Sequence, residues 1–147
     1  KAQFTAGPIR LTVQSIKGRF PDFQKLLPES SEWLIDTDPA FLRPLMEGPL
    51  SVAGALGSGI CRITNDGAGE LVISTRAEEL VAVTIRVPAE IVGDVKIAFN
   101  LTHLCNVLRS MKGAERLTIE GTTAHNQATF RGGADRVEVV MPMYVQW

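Results

Sequence analysis

The chain has 147 residues, 45% of them apolar and 21% charged, with a formal net charge of −1. That is an ordinary globular mixture with room for one domain and part of another; it excludes a uniformly basic surface but leaves space for a local basic patch. The sequence has no run of about 18 apolar residues, so no membrane-spanning helix is expected, and the start KAQFTAGPIR lacks the continuous apolar stretch of a signal peptide.

In chain order, QFTAG and IRLTVQSI read as two strands punctuated by Gly7-Pro8. Two strands alone make no stable domain, so residues 1–16 either join the next sheet or belong to a domain whose other parts are missing. The turn-rich, proline-bounded KGRFPDFQKLLPESS reads as a connector. Then comes EWLIDT as a strand, DPAFLRPLMEG as a helix, and GICRITND, GELVISTR and LVAVTIRVP as strands. The order repeats at an offset of roughly 60 residues. DVKIAFN is a strand, NLTHLCNVLRSMKG a helix, and ERLTIEG, NQATFRG and RVEVVMPM are strands. The last strands of the two copies both end at a proline, Pro88 and Pro142.

The helices carry their own start signals. Asp38 and Asn100 stand where a side-chain oxygen caps orphan amides, and Pro39 fits the first helical position. In the second helix Leu101, Leu104, Cys105, Leu108 and Met111 form an apolar stripe, with Thr102, His103, Asn106, Arg109 and Ser110 opposite and Gly113 as the C-cap. In the first helix Phe41, Leu42, Leu45 and Met46 are expected inward and Arg43 and Glu47 outward. Pro44 and Gly48-Pro49 shorten it, with an irregular EGPLSVAGALGSG after it. Each half is expected to lay one amphipathic helix on an antiparallel sheet, giving a pseudo-twofold α+β domain.

Cys61 and Cys105 sit inside apolar patterns with no CxxC and no Cys/His ligand spacing, so two buried free thiols are expected, and no metal. His103 and Cys105 are two apart on a helix and face different ways, and His125 has no carboxylate at a telling spacing. GALGSG and DGAG match no phosphate-binding pattern. No catalytic residue and no cofactor is expected, although a small α+β enzyme using His103 or His125 is the rival class.

Taken together, GRFPDFQKLLP (Gly18–Pro28), FNLTHLCNVLRSM (Phe99–Met111) and the ending VVMPM (Val139–Met143) resemble the bacterial DNA polymerase III β sliding clamp family. The resemblance covers nearly the whole chain but only part of a family member, which has three similar domains. It implies that residues 1–31 are the last two strands of the second domain and the linker. Residues 32–147 would be the C-terminal clamp domain, with repeats at about 32–89 and 94–147, making the chain a fragment or an unusually short relative.

The resemblance further implies a bacterial, cytoplasmic, nucleoid-associated replication protein rather than a membrane protein or an enzyme. Such clamps close as homodimeric rings around duplex DNA and tether polymerase subunits, the clamp loader and repair proteins. Those partners dock short peptides with Gln and spaced Leu and Phe residues into a pocket between the second and third domains. The matching positions here are Pro21, Lys25 and Leu26 from the linker, and Val139, Val140, Met141, Pro142 and Met143 from the last strand. Asn100 and His103 would be polar rim groups, His103 replacing a phenol, and Gln127 a further rim position that aligns only with a gap. Apolar walls with a few polar groups suit such a pocket, and flexible methionines repack around different side chains. Pro142 keeps the edge from extending the sheet, and Lys25 could meet a peptide carboxylate or carbonyl. Trp147 in the tail either covers part of the pocket or hangs free.

Arg43, Arg109 and Lys112 are implied to face the DNA, as exchangeable phosphate contacts that permit sliding; the bland alternative is a solvated helix face. Pro44 and Gly48-Pro49 interrupt the helix that builds the family's subunit contact, and the interface falls near the small residues Val52 and Ala53. Ring closure by this chain alone is therefore not expected, and a clamp-like adaptor that binds peptides without encircling DNA is the alternative.

Overall fold

A computed structural model describes residues 1–19, 22–42, 48, 59–77, 81–133 and 135–147. Pro21 and the first-helix positions from Arg43 to Glu47, together with Pro49, Val52 and Ala53, lie outside the described residues.

β1 (Ala2–Ala6) and β2 (Ile9–Val13) form an antiparallel ribbon of their own. Its register pairs Phe4 with Leu11 and Ala6 with Ile9, so one face is wholly apolar and the other carries Gln3, Thr5, Arg10 and Thr12. β2 stops short of the expected end; Ile16 lies beyond it, almost fully exposed. A 3-10 turn at Phe23–Leu26 follows in the connector.

The strands that follow are β3 (Trp33–Thr37), β4 (Ile60–Asn65), β5 (Glu70–Ala77), β6 (Val81–Pro88), β7 (Glu90–Val92) and β8 (Lys96–Asn100). Helix α1 (Leu101–Ser110) comes next, then β9 (Leu117–Gly121), β10 (Ala128–Gly132) and β11 (Val137–Val140). Both repeats are present, but their sheets are interleaved. The order in one sheet is β11-β10-β9-β3-β7 and in the other β6-β5-β4-β8. Each repeat thus lends its first strand to the other's three-strand meander, with Ile35 opposite Ile119 and Ile97 opposite Ile63. The repeats expected from sequence thus build the α+β domain by exchanging their first strands. β7, unexpected from sequence, adds an edge strand beside β3.

The period-two pattern explains the core. Trp33, Ile35, Cys61, Ile63, Leu71, Ile73, Ile97, Phe99, Ile119 and Phe130 point inward from both sheets and join α1 in one cluster. Each such aliphatic contributes about 1.5–3 kcal/mol when fully buried. Phe99 and Phe130, one from each sheet, meet edge to face at 5.6 Å. The cysteines are free and buried, as expected. Burial, and secondarily the neighbouring Cys105, push the Cys61 thiol up to about 12; burial also raises Cys105. A thiolate nucleophile is therefore disfavoured at both positions.

α1 buries Leu101, Leu104, Cys105, Leu108 and also Val107, with its polar side outward. It ends earlier than expected: Met111 is the C-cap, and Gly113 lies two residues beyond, at φ +89°. In the first helix only residues 39–42 are described; Leu42 is buried as expected, whereas Phe41 is half exposed, contrary to its inward placement.

Candidate peptide groove

Three irregular segments converge beside β11. The linker turn is closed by Lys25 N and Leu27 N donating to the Asp22 and Gln24 carbonyls. It is tied to the loop before β10 by Gln127 Nε2, which donates to the Leu26 carbonyl at 3.0 Å across 101 positions of sequence. β10 and β11 pair Ala128 with Val140, so the next step of that register carries Gln127 toward Met141. Beyond Val140 the chain leaves the sheet, and Met143 N donates to the Ala98 carbonyl of β8 at 2.7 Å. Asn100 is two residues further along β8.

Leu26, Gln127, Met141, Met143 and Asn100 are thereby linked through short backbone and side-chain steps. Leu26 and Met141 are 49% and 63% exposed, apolar surface that water does not favour. Pro142 and Met143 are half-buried. Gln127, held only by a gapped match in the sequence, is the residue that joins the two walls.

The other expected positions divide. Val139 is half-buried, but Val140 is 6% exposed and part of the core cluster, so it backs the wall instead of lining it. Alternation along β11 allows only one of two successive valines to face outward. Lys25 is exposed and already paired with Asp22 at 3.3 Å. Asn100 caps α1 as expected, its Oδ1 accepting from Thr102 N at 2.9 Å and His103 N at 3.2 Å. Its oxygen is therefore committed to the helix, and its NH2 group is what it has left for a ligand. His103 is exposed on the first turn of α1.

Two features were missed in the sequence. Thr129 lies opposite Val139 on the same face, and its buried hydroxyl has no hydrogen-bond partner among the described residues. His125 stacks on Tyr144 with ring centroids 5.5 Å apart, tying the loop before β10 to the tail. Long-range pairings of this kind leave no periodic trace.

The implied DNA-facing cations are thinly represented. Arg43 lies outside the described residues. Arg109 is exposed on α1 and bonded to Asn106 Oδ1 at 3.2 Å. Lys112 is exposed just past the helix, in a cleft shared with Arg116 and Arg136. Arg116 is held by Asp36 at 2.9 Å and Glu90 at 3.5 Å, the Asp36 hydrogen bond raising its pKa further. Arg136 donates to the Ser110 carbonyl. Those two charges are largely spent on the protein itself.

No family model matches the chain. It is 27% identical over 141 residues to the beta sliding clamp of Pseudomonas putida, a match covering 95% of this chain and 38% of that relative. Among solved structures, the DNA polymerase III beta subunit of Pseudomonas aeruginosa superposes with a TM-score of 0.77 at 26% identity, over 97% of this chain and 39% of that one. The beta subunit of Thermotoga maritima gives 0.81 at 16% identity, over 98% and 39%. A further P. aeruginosa clamp, bound to griselimycin, gives 0.77 at 26% identity. The chain thus spans under two fifths of the length of the clamps it matches. In sequence and in α+β fold alike, it is similar to a stretch of the bacterial beta sliding clamp, the beta chain of DNA polymerase III.

Proposed function

We propose that the chain is a processivity-clamp module without catalytic activity. Its groove takes short extended peptides of polymerase subunits, clamp loader and repair proteins, with Gln at the rim and spaced Leu and Phe side chains against Leu26, Met141 and Met143. In a complete ring it encircles duplex DNA in a bacterial cytoplasm, with Arg109 and Lys112 as weak phosphate contacts. The observation that supports this reading most is the Gln127–Leu26 hydrogen bond. It joins the linker, one of the motifs that carry the likeness to the beta sliding clamp, to the loop that precedes β10 and so lies beside the last strand, which carries another.

The test is a titration with a fluorescent peptide containing Gln followed by spaced Leu and Phe. Wild-type protein is expected to bind it, and Met141→Ala with Pro142→Ala to abolish binding while the circular dichroism spectrum is kept. No binding by wild type at high micromolar peptide overturns the groove. Light scattering addresses the ring: a monomer at working concentration removes DNA encirclement by this chain and leaves a peptide-binding adaptor.

A further inference from the structure

Residues 141–147 have no regular secondary structure, yet each residue from Met143 onward is held. Met143 N is bonded to the Ala98 carbonyl. Tyr144 stacks on His125. Val145 is buried at 8% exposure. The Gln146 carbonyl accepts from the Arg62 guanidinium at 3.4 Å. The Trp147 ring lies beneath two cations, with Lys96 Nζ 5.2 Å and Arg62 Cζ 5.9 Å from its centroid.

Those cations belong to adjacent strands. β4 and β8 pair Arg62 with Ala98 and Thr64 with Lys96, so both project from the face opposite Cys61, Ile63 and Ile97, which point into the core. Two like charges on one face repel, and an aromatic ring between them attracts both. The tail is a strap laid over this outer face.

We propose that the strap is a positioning device for the groove, with Trp147 as the clip that holds Met141–Met143 where a peptide meets them. The inference rests on the peptide-groove reading above. Met141 and Pro142 lie between two fixed points. The upstream one, Val140, is locked in the core. The downstream one is the Met143 amide on Ala98, and Pro142 has no amide to reinforce it. Downstream anchorage therefore falls to the strap. Trp147 touches no peptide in this account, yet affinity depends on it, because an undocked strap lowers the fraction of molecules with a formed wall.

The same peptide titration tests this. Trp147→Ala is expected to weaken binding by about 3- to 10-fold, and Trp147→Phe, which keeps a π face, to recover part of the loss. Arg62→Met with Lys96→Met is expected to weaken binding similarly, and adding Trp147→Ala to that pair to cost little more. Hydrogen exchange reads the strap separately from affinity, and its response to peptide is the readout that a purely structural role would not move. The Met143 amide should exchange faster in Trp147→Ala and slow again at saturating peptide, since coupling is reciprocal. Faster Met143 exchange with affinity within about twofold of wild type overturns the coupling. Unchanged exchange overturns the clip. If wild type binds no peptide, the groove reading fails and the coupling with it, a result distinct from either of the others.

Discussion

Alanine at Gly93 separates two costs that this fold combines at one residue. Gly93 follows β7, where the chain passes from one sheet to the other, at φ +81°. A Cβ there would overlap the Glu32 carbonyl oxygen and lie 3.1 Å from Trp33 Cα. The left-handed conformation alone costs a non-glycine residue about 1–2 kcal/mol. The overlap adds an overpacking cost of about 1–3 kcal/mol, because β3 has nowhere to retreat: it is paired with β9 on its far side, and Glu32 N is bonded to the Gly121 carbonyl at 2.9 Å. Gly93→Ala should therefore lose about 2–5 kcal/mol. Gly113, at φ +89° with nothing within 4 Å of its added Cβ, is the control; Gly113→Ala should lose only about 1–2 kcal/mol. The assay is urea unfolding followed by circular dichroism. Asparagine visits the left-handed region readily, so Gly113→Asn should recover most of the loss and Gly93→Asn little. Equal losses for the two alanine variants, or rescue of Gly93 by asparagine, would refute the close approach of the crossover to β3.

Asp66 gives a pH-dependent prediction. Hydrogen bonding from the Ala68 amide, then from the Glu70 amide, and the charge of Arg86 hold its carboxyl below its usual range. A carboxylate with a depressed folded pKa contributes stability above the unfolded value, about 3.9, and loses it as pH falls through the folded value. The stability gap between wild type and Asp66→Asn, read from urea midpoints, should be full at neutral pH and shrink below about pH 4; a gap independent of pH sinks the assignment. At Thr129, replacing the buried hydroxyl, which has no partner among the described residues, by a methyl in Thr129→Val should leave stability equal or raise it by about 1 kcal/mol. A loss larger than that would mean that the hydroxyl has a partner in solution.

Much of the framework was legible because it is periodic. Leu117 and Ile119 alternate with Thr118 and Glu120, Trp33, Ile35 and Thr37 alternate with the half-buried Leu34 and Asp36, and each set is buried on one face. The α1 stripe and its Asn100 cap were read from spacing alone. What periodicity cannot report is partner choice. β3 and β8 each precede a helix, and nothing local says that each completes the other repeat's sheet. β7 is only three residues long, too short to show alternation. The groove was legible as two motifs but not as a contact, since the Gln127–Leu26 bond depends on loop geometry. Val140 was misplaced because a run of valines does not announce which member faces the core. Trp147 has a role only once β4 and β8 lie side by side.

The interleaving of strands also bears on how the groove is built. Its segments are irregular, as binding segments on rigid scaffolds commonly are, and each is fastened to a different part of the interleaved pair. Gln127 precedes β10 of the second repeat, whereas Ala98 and Lys96 sit on β8, which the second repeat contributes to the first repeat's sheet. Arg62 belongs to the first repeat itself. The linker, the last strand and the strap come together only when both exchanged strands are seated. Gly93, in the crossover that leads into β8, then bears on the proposed groove through the seating of that strand. Affinity and global stability should fall together in variants of the exchanged strands. Variants of the strap, which lies outside both sheets, should change affinity with little change in unfolding.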